Sequence, residues 1–294
     1  MTALRRRDIA LVALSVVPFV YTLFDTSDGD VPLYRNYANL LWGGAVPYKD
    51  WRFEYPPYAL VWLAAPGLFS GYTAFRAAFS LQILALDVVA KLALLKEGHR
   101  LASGSPWSRL APFLVFSSLA VFQSYFYLKR FDAIAAGFTL FALLAFARGR
   151  FAAAGALVSV ATGIKLYPGL VALVLACAAW QRGKSKQFAT GAIAALMPVV
   201  AFSAFAPWWR FISFHASRGL QVESTYASIV WLAHFFGVQA TWASRPAWVE
   251  VDGPTARAVL PFARVLFATG TLGALATSVA AVWHRNGEPS EASS

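Results

Sequence analysis

Charged residues and cysteine are scarce in this chain. Of its 294 residues only 13% are Asp, Glu, Lys or Arg, whereas 59% are hydrophobic. A soluble domain has roughly a quarter of its residues charged, so about half of the expected solvated surface is missing. An ordinary globular domain is therefore excluded. The single cysteine, Cys177, can form no intrachain disulfide and matches no metal-ligand spacing.

Several motifs that carry chemistry in soluble proteins are also missing. The histidines have no partners at zinc-site spacing, and the chain has no glycine-rich phosphate loop, no Gly-x-Ser-x-Gly elbow and no internal repeat. The net charge of +11 comes from Lys and Arg in short clusters between apolar segments. Such clusters are typical of the cytoplasmic flanks of membrane helices, so a nucleic-acid partner is not expected.

Long apolar runs recur along the chain and predict membrane helices. The hydrocarbon core of a bilayer is about 30 Å thick, which a helix of about 20 apolar residues crosses. Two shorter pieces, 57–69 and 227–238, are predicted to be half-helices or interfacial helices. The predicted fold is an all-α integral membrane protein, a polytopic bundle in one domain over residues 1–285 with a polar cytoplasmic tail at 286–294. The spans, about eight, are predicted at 9–24, 72–95, 110–128, 133–148, 151–164, 167–181, 188–207 and 258–283.

The basic residues predict how these spans are oriented in a plasma membrane. Arginines at positions 5–7 precede the first apolar run, and no small-residue cleavage site follows it. An uncleaved first helix with cytoplasmic N- and C-termini places the basic connections 96–109 and 182–187 inside and most acidic residues outside. A full span at 57–69 would invert the later loops, an alternative that the charge distribution disfavours.

The predicted outer segment, residues 25–56, is dense in carboxylates and aromatic rings. Within it, residues 31–42 have apolar groups at helical spacing, which predicts a short helix on the membrane surface. Such a helix could hold Asp30 near the membrane border. The alternative is a solvated loop whose acids balance Arg35, Lys49 and Arg52.

Ionisable residues near the ends of predicted spans indicate a wet cavity or a partner. Burying such a group at the centre of a membrane helix costs roughly 2.5–3.5 kcal/mol. Asp132 opens a helix, where capping would explain it equally well. Lys165 lies where two helices meet, where snorkelling to the interface competes with holding a phosphate. Asp87 and Lys91, four residues apart, predict an internal ion pair outside the site.

The polar run at residues 218–226 lies just before the short apolar piece at 227–238. Half-helix ends that face a cavity often form binding sites in membrane proteins, and a plain loop is the alternative.

Six short motifs, each weak by itself, occur in an order that resembles a known family. The ordered set resembles the polytopic GT-C glycosyltransferases, and most of all the glycosyltransferase family 87 group of polyprenyl-phosphate-mannose-dependent enzymes. The motifs are Asp30 with Tyr34, Gly43-x-x-x-Pro-Tyr48, Glu54-Tyr55-Pro-Pro57, Arg130-Phe-Asp132, Lys165-Leu-Tyr167-Pro168 and Arg218-Gly-Leu-Gln221-Val-Glu223-Ser224.

The resemblance implies transfer of mannose or another hexose from a polyprenyl-phosphate donor to a glycan or lipid acceptor, with inversion, on the extracytoplasmic face. It implies that Asp30 is the general base, with Asp28 and Asp25 near enough for the assignment to slip. A carboxylate suits this role, because the acceptor hydroxyl must lose its proton as it attacks the anomeric carbon.

The resemblance also implies which side chains meet the substrates. Lys165, Arg130 or Arg218 would stabilise the charge that grows on the lipid phosphate, and Trp51 and two tyrosines would stack on sugar rings. No metal ligand is assigned, and a divalent metal cofactor is left open. The expected substrate-binding residues are Asp28, Tyr34, Tyr48, Asp50, Glu54, Tyr55, Arg130, Asp132, Lys165, Tyr167, Arg218, Gln221 and Glu223.

Two other classes of protein compete with this interpretation. A transporter or flippase for a lipid or small solute would have charges deep in several spans and repeat symmetry between its halves. A non-catalytic membrane scaffold would leave the acidic and aromatic residues of 25–56 without a purpose.

Overall fold

The structure is a computed structural model that describes residues 5–24, 28–101, 105–245 and 248–285. The described chain is mostly helical, and it divides into two compact units, Met1–Trp208 and Trp209–Ser294. The predicted tail at 286–294 and Asp25 lie outside the described residues.

Within the residues that the structure describes, the first unit is built from helices joined by turns and loops, with one isolated β-bridge between Pro47 and Trp51. Its helices are α1 (Arg6–Phe24), α2 (Val31–Trp42), α3 (Ala59–Gly67), α4 (Tyr72–Leu101), α5 (Pro106–Phe122), α6 (Ser124–Tyr127), α7 (Asp132–Ala147), α8 (Phe151–Ile164), α9 (Pro168–Gln181) and α10 (Ser185–Phe202). The most extensive packing is that of α8 against α7 and α10, and α4 packs against α1, α5 and α7.

The second unit combines helices with a small antiparallel sheet. Its elements are α11 (Arg210–Ala216), β1 (Leu220–Gln221), α12 (Thr225–His234), β2 (Thr241–Arg245), β3 (Trp248–Asp252) and α13 (Pro254–Arg285), and the strand order is β1-β3-β2. The register pairs Leu220 with Val251 and Trp242 with Val251 on opposite edges of β3. The all-α prediction missed this sheet, because strands of two to five residues are too short for their alternation to stand out from the sequence.

The predicted apolar segments coincide with helices, and most differences lie at the ends. Residues 31–42 form α2, which confirms the short helix in the outer segment, and the half-helices correspond to α3 and α12. The segment at 110–128 was predicted as one continuous helix, and this is wrong. The helix α5 ends at Phe122, and the four-residue α6 follows Gln123.

Among the described residues, three helices are long and apolar enough to cross a membrane: Tyr72–Arg100, Ser185–Phe202 and Pro254–Trp283. Four further apolar helices are shorter, and the 14-residue α8 and α9 would each extend only about 21 Å along their axes. The expected number of about eight spans therefore stays a prediction. Large apolar side chains cover the outside of the protein, including Phe122, Phe235 and Phe236, each more than four-fifths exposed. Such a surface suits lipid rather than water.

Two glycines allow α8 and α10 to lie in backbone contact. A Cβ atom built on Gly191 would lie 1.8 Å from the carbonyl oxygen of Ala152, and one on Gly155 would lie 2.1 Å from the carbonyl oxygen of Phe188. Small residues of this kind are typical of close helix pairs in membranes. Neither neighbour is a flexible side chain, so an added methyl group must push the helices apart.

We expect Gly191→Ala to destabilise the first unit, although alanine is the better helix former. Overpacking of this kind costs typically about 1–3 kcal/mol, which should lower the melting temperature of the purified protein in detergent. Gly270→Ala in α13 is the matched control, because no atom lies within 4 Å of the added Cβ. Equal melting temperatures for the two variants would contradict the close helix contact.

Candidate active site

Asp30 lies in the turn that precedes α2, and its carboxylate meets two groups predicted for the site. Its Oδ2 atom is 3.2 Å from Nε of Arg130, and the Tyr34 hydroxyl donates to the same oxygen over 3.4 Å. The side chain makes no capping bond to α2 and is one-third exposed (33%). Asp30 is therefore held by side chains from two segments while part of it faces outward.

A cluster of aromatic rings supports Asp30 from behind. The Tyr34 side chain is only 1% exposed, and its ring centroid is 4.3 Å from that of Phe131. The Tyr34 and Tyr55 hydroxyl oxygens are 3.3 Å apart, and the Tyr48 hydroxyl donates to the Tyr55 carbonyl over 2.6 Å. These contacts join the motifs at residues 30–34, 43–48 and 54–57 in one packed region.

The tyrosines of this cluster are held in their neutral form. Burial, followed by the negative charge of Asp30, raises the pKa of Tyr34 well above its usual value of about 10. Burial also raises the pKa of Tyr55, and the negative charge of Glu54 adds to this effect. Burial raises the pKa of Tyr48 as well. The Tyr34 hydroxyl therefore remains a proton donor towards Asp30 at every physiological pH.

These raised pKa values predict that the protein loses stability in alkali. Unfolded tyrosines release their protons above about pH 10, whereas the buried ones keep theirs, so the free energy of unfolding falls as the pH rises. At pH 11, each such tyrosine should lower the free energy of unfolding by about 1.4 kcal/mol. Melting temperatures at pH 9 and pH 11 should differ less for Tyr34→Phe than for the wild type. An unchanged difference would mean that Tyr34 is not the source.

Arg130 and Asp132 also line a cavity of about 380 Å³, beside the pair that Arg130 forms with Asp30. This volume lies within the range of small-ligand sites. The guanidinium of Arg130 lies 4.5 Å from the centre of the Phe126 ring, which fixes it at the wall. The lining residues are Gln123, Phe126, Tyr127, Arg130, Asp132, Ala133, Ala136 and Tyr167.

Asp132 and Lys165 form a direct ion pair at the edge of this cavity. The Lys165 Nζ atom donates to Oδ1 of Asp132 over 2.6 Å, and the Tyr167 hydroxyl reaches the Asp132 carbonyl over 3.4 Å. Asp132 is the first residue of α7 and Phe131 occupies the N-cap, so the capping explanation of Asp132 is wrong. The pair is partly exposed, and an incoming anion can therefore compete with the carboxylate for Lys165.

The other candidates in the outer segment make contacts of their own. Asp28 pairs with Arg76 of α4 over 3.4 Å, and Asp50 accepts the backbone N–H of Val46 over 2.7 Å. Glu54 is buried. The Trp51 ring stacks on Tyr37, with centroids 5.1 Å apart. Trp51 therefore already stacks within the protein, and its role towards a sugar stays a prediction.

Three further candidates, Arg218, Gln221 and Glu223, belong to the second unit. Gln221 pairs with Glu250 across β1 and β3, and the Arg218 guanidinium lies 4.7 Å from the centre of the Phe214 ring. Glu223 is exposed, and Ser224 caps α12 by accepting the N–H of Ala227. This polar run is thus a strand followed by the capped start of a half-helix.

A side chain at Gly219 would displace the carboxylate of Glu250. A Cβ on Gly219 would lie 2.5 Å from a carboxylate oxygen of Glu250, which instead accepts the Gly219 N–H over 3.0 Å. Glu250 also pairs with Arg245 over 2.8 Å, so one carboxylate links the residue before β1 to Arg245 of β2.

The family model for glycosyltransferase family 87 matches residues 53–294, most of the chain. The chain belongs to glycosyltransferase family 87. Together with its apolar helices, this makes it a membrane glycosyltransferase. No curated protein and no solved structure matches the chain.

The match with family 87 includes part of the candidate site. It covers Glu54 and Tyr55, the cavity residues from Gln123 to Tyr167 and the run at 218–224, whereas Asp28, Asp30, Tyr34, Tyr48 and Asp50 precede it. The contact between Asp30 and Arg130 joins the preceding segment to the matched one. Within the described part of the chain, no three His, Cys, Asp or Glu side chains are grouped so that they could hold a metal ion.

Sequence reasoning missed several residues that build the cavity of this family 87 enzyme. Tyr127 lines the cavity and donates to Oδ1 of Asp87 over 2.9 Å, while Asp87 pairs with Lys91 over 2.7 Å. The predicted internal ion pair is thus confirmed, and it also anchors a cavity residue. A polar Gln123-Ser124 step inside an apolar run was the signal that could have indicated the break between α5 and α6.

Proposed function

We propose that this family 87 enzyme transfers mannose or another hexose from a polyprenyl-phosphate donor to an extracytoplasmic glycan or lipid acceptor, with inversion. The observation that carries the proposal is the arrangement around Arg130, which pairs with Asp30 and also lines the cavity that contains Asp132. A general base and phosphate-binding cations are thus adjacent, as glycosyl transfer from a lipid phosphate requires.

The donor phosphate would be held by Arg130 and Lys165. Both cations pair with carboxylates in the structure, over 3.2 Å and 2.6 Å. Charge-assisted hydrogen bonds to phosphate are strong, and guanidinium matches phosphate geometry with two parallel bonds. A donor phosphate would therefore replace one carboxylate contact of each cation and release the Asp30 carboxylate from Arg130.

Asp30 would act as the general base. The acceptor oxygen forms a bond to the anomeric carbon, the bond from that carbon to the phosphate oxygen breaks, and its electron pair stays on the lipid phosphate. The acceptor proton passes to the Asp30 carboxylate, which the Tyr34 hydroxyl orients through its 3.4 Å contact. Attack from the face opposite the leaving phosphate inverts the configuration.

This chemistry accompanies a multi-pass arrangement in a bacterial plasma membrane. We propose about eight spans, both termini in the cytoplasm and the segment 25–56 outside. The support is the charge distribution: basic residues cluster at 5–7 and 182–186, and carboxylates cluster in the outer segment. Helices α8 and α9 are too short to span the bilayer by their own length, and they would lie in the membrane packed against longer neighbours.

The test of the donor class is transfer by the purified full chain. We expect radiolabelled mannose to pass from polyprenyl-phosphate-mannose into added membrane glycan or lipid acceptors, and no transfer from GDP-mannose. Polyprenyl-phosphate-glucose distinguishes mannose from another hexose. Transfer from the nucleotide sugar and not from the lipid-linked sugars would overturn the proposal.

A further inference from the structure

A second, cationic cavity lies at the other end of the first unit's long helices. It has a volume of about 190 Å³ and is formed where the start of α1, the end of α4 and the start of α5 come together. Three arginines and one histidine line it together with two leucines. The lining residues are Arg5, Arg7, Leu11, His99, Arg109 and Leu110, which we call the cationic cavity.

A buried carboxylate, that of Asp8, fixes the position of two residues that line the cationic cavity. Asp8 is fully buried, its Oδ1 atom is 3.1 Å from Nε2 of His99, and its Oδ2 atom accepts the N–H of Arg5 over 2.8 Å. One residue on α1 thus fixes the chain on both sides of the opening. Such a hydrogen-bonded buried acid keeps its partners in one arrangement.

Close packing of α4 against α5 completes the wall. A Cβ on Gly98 would lie 2.0 Å from the carbonyl oxygen of Arg109, so only glycine permits this approach of the two backbones. The approach places Arg109 next to His99. The position of the third arginine is therefore determined by the fold and not by a free surface loop.

The electrostatics of the cationic cavity favour an anion. Three of the six lining residues are arginines and none is acidic, and the Nε atom of Arg7 lies 3.8 Å from the Asp8 carboxylate. The neighbouring Glu97 is engaged by Arg100 and Arg148 over 2.5 Å and 2.8 Å. The first turns of α1 and α5 also contribute their positive dipole ends. A bound phosphate would meet several guanidinium donors at the opening.

The cationic cavity is far from the candidate active site. Along α4, Arg76 contacts Asp28 beside that site, whereas His99 lies about 35 Å further on at 1.5 Å per residue. This separation is comparable to the hydrocarbon thickness of a bilayer, about 30 Å. The two cavities therefore lie near opposite ends of α4, about one membrane thickness apart.

We propose that the cationic cavity binds the phosphate group of an anionic phospholipid at the membrane border opposite the transfer site. The arginines receive the phosphate diester. Leu11 and Leu110, which pack on the apolar cluster of Val12, Leu94, Leu95 and Phe113, lie on the side of the acyl chains. A soluble phosphate ester has the same headgroup chemistry, but it has no acyl chain to contact these leucines.

The test is lipid binding to the purified full chain in detergent, measured by native mass spectrometry. We expect phosphatidylglycerol to bind at least tenfold more tightly than phosphatidylcholine of the same chain length. Arg109→Gln, and separately the double variant Arg5→Gln/Arg7→Gln, should each weaken phosphatidylglycerol binding about tenfold. Because Arg5 and Arg7 are exposed, the double variant keeps the test valid if Arg109→Gln fails to fold.

The matched control is Lys184→Gln/Lys186→Gln, which removes two exposed cations at the start of α10 and should leave binding unchanged. If glycerol 3-phosphate at equal concentration displaced phosphatidylglycerol, the cavity would be a phosphate site for a soluble ester, and the lipid assignment would be wrong. Equal affinity for the two lipids, or equal losses in the control and the cavity variants, would overturn the proposal.

Discussion

Asp30→Asn is expected to reduce sugar transfer by about 10²–10⁴-fold while donor binding is retained. Asparagine keeps the shape of the side chain and can still accept from the Tyr34 hydroxyl, but it cannot take a proton from the acceptor. The measurement is the single-turnover rate of mannose transfer by the purified variant, together with the dissociation constant of the donor. The loss should therefore appear in the rate and not in the donor affinity.

Asp252→Asn is the matched control for this prediction. Asp252 lies at the end of β3 and its Oδ1 atom accepts the Gly253 N–H over 2.7 Å, a bond that asparagine preserves. Its rate should equal that of the wild type. Transfer at the wild-type rate by Asp30→Asn would show that Asp30 is not the base. If Asp132→Asn then lost transfer and kept donor binding, the base would be Asp132.

Arg130→Gln is expected to weaken both the chemical step and donor binding. Removing one preorganised group that stabilises transition-state charge costs about 10²–10³-fold in rate. Because Arg130 lines the cavity and is proposed to hold the donor phosphate, its loss should also raise the Michaelis constant for the donor. Arg130→Lys should recover only part of the activity, because an ammonium cannot form two parallel bonds to phosphate.

The double variant Asp30→Asn/Arg130→Gln separates the two roles of Arg130. If Arg130 acts only by positioning Asp30, its removal adds nothing once Asp30 is replaced. If it holds the phosphate, the double variant should bind donor more weakly than Asp30→Asn does. Arg52→Gln, an exposed arginine of the same outer segment, is the control and should behave as wild type. Unchanged kinetics in Arg130→Gln would contradict a role at the site.

Hydropathy predicted the helices well because a membrane helix satisfies its own backbone within one segment. The segment 31–42 was predicted from its helical spacing and forms α2. The prediction failed where the decisive partners are distant in sequence. The break at Gln123 accompanies the bond from Tyr127 to Asp87, 40 residues away, and the strands pair β1 with a segment about 30 residues later.

The sequence by itself determined that the protein is apolar, mostly helical and typical of membrane glycosyltransferases. It also contains the six motifs in the order that resembles the family. These properties depend on composition and on residues a few positions apart. Only the tertiary structure decided that Asp30 meets Arg130, that Lys165 pairs with Asp132 and that Asp50 holds a turn instead. Such contacts join residues up to 100 positions apart, and their partners are selected by helix packing, which no local pattern encodes.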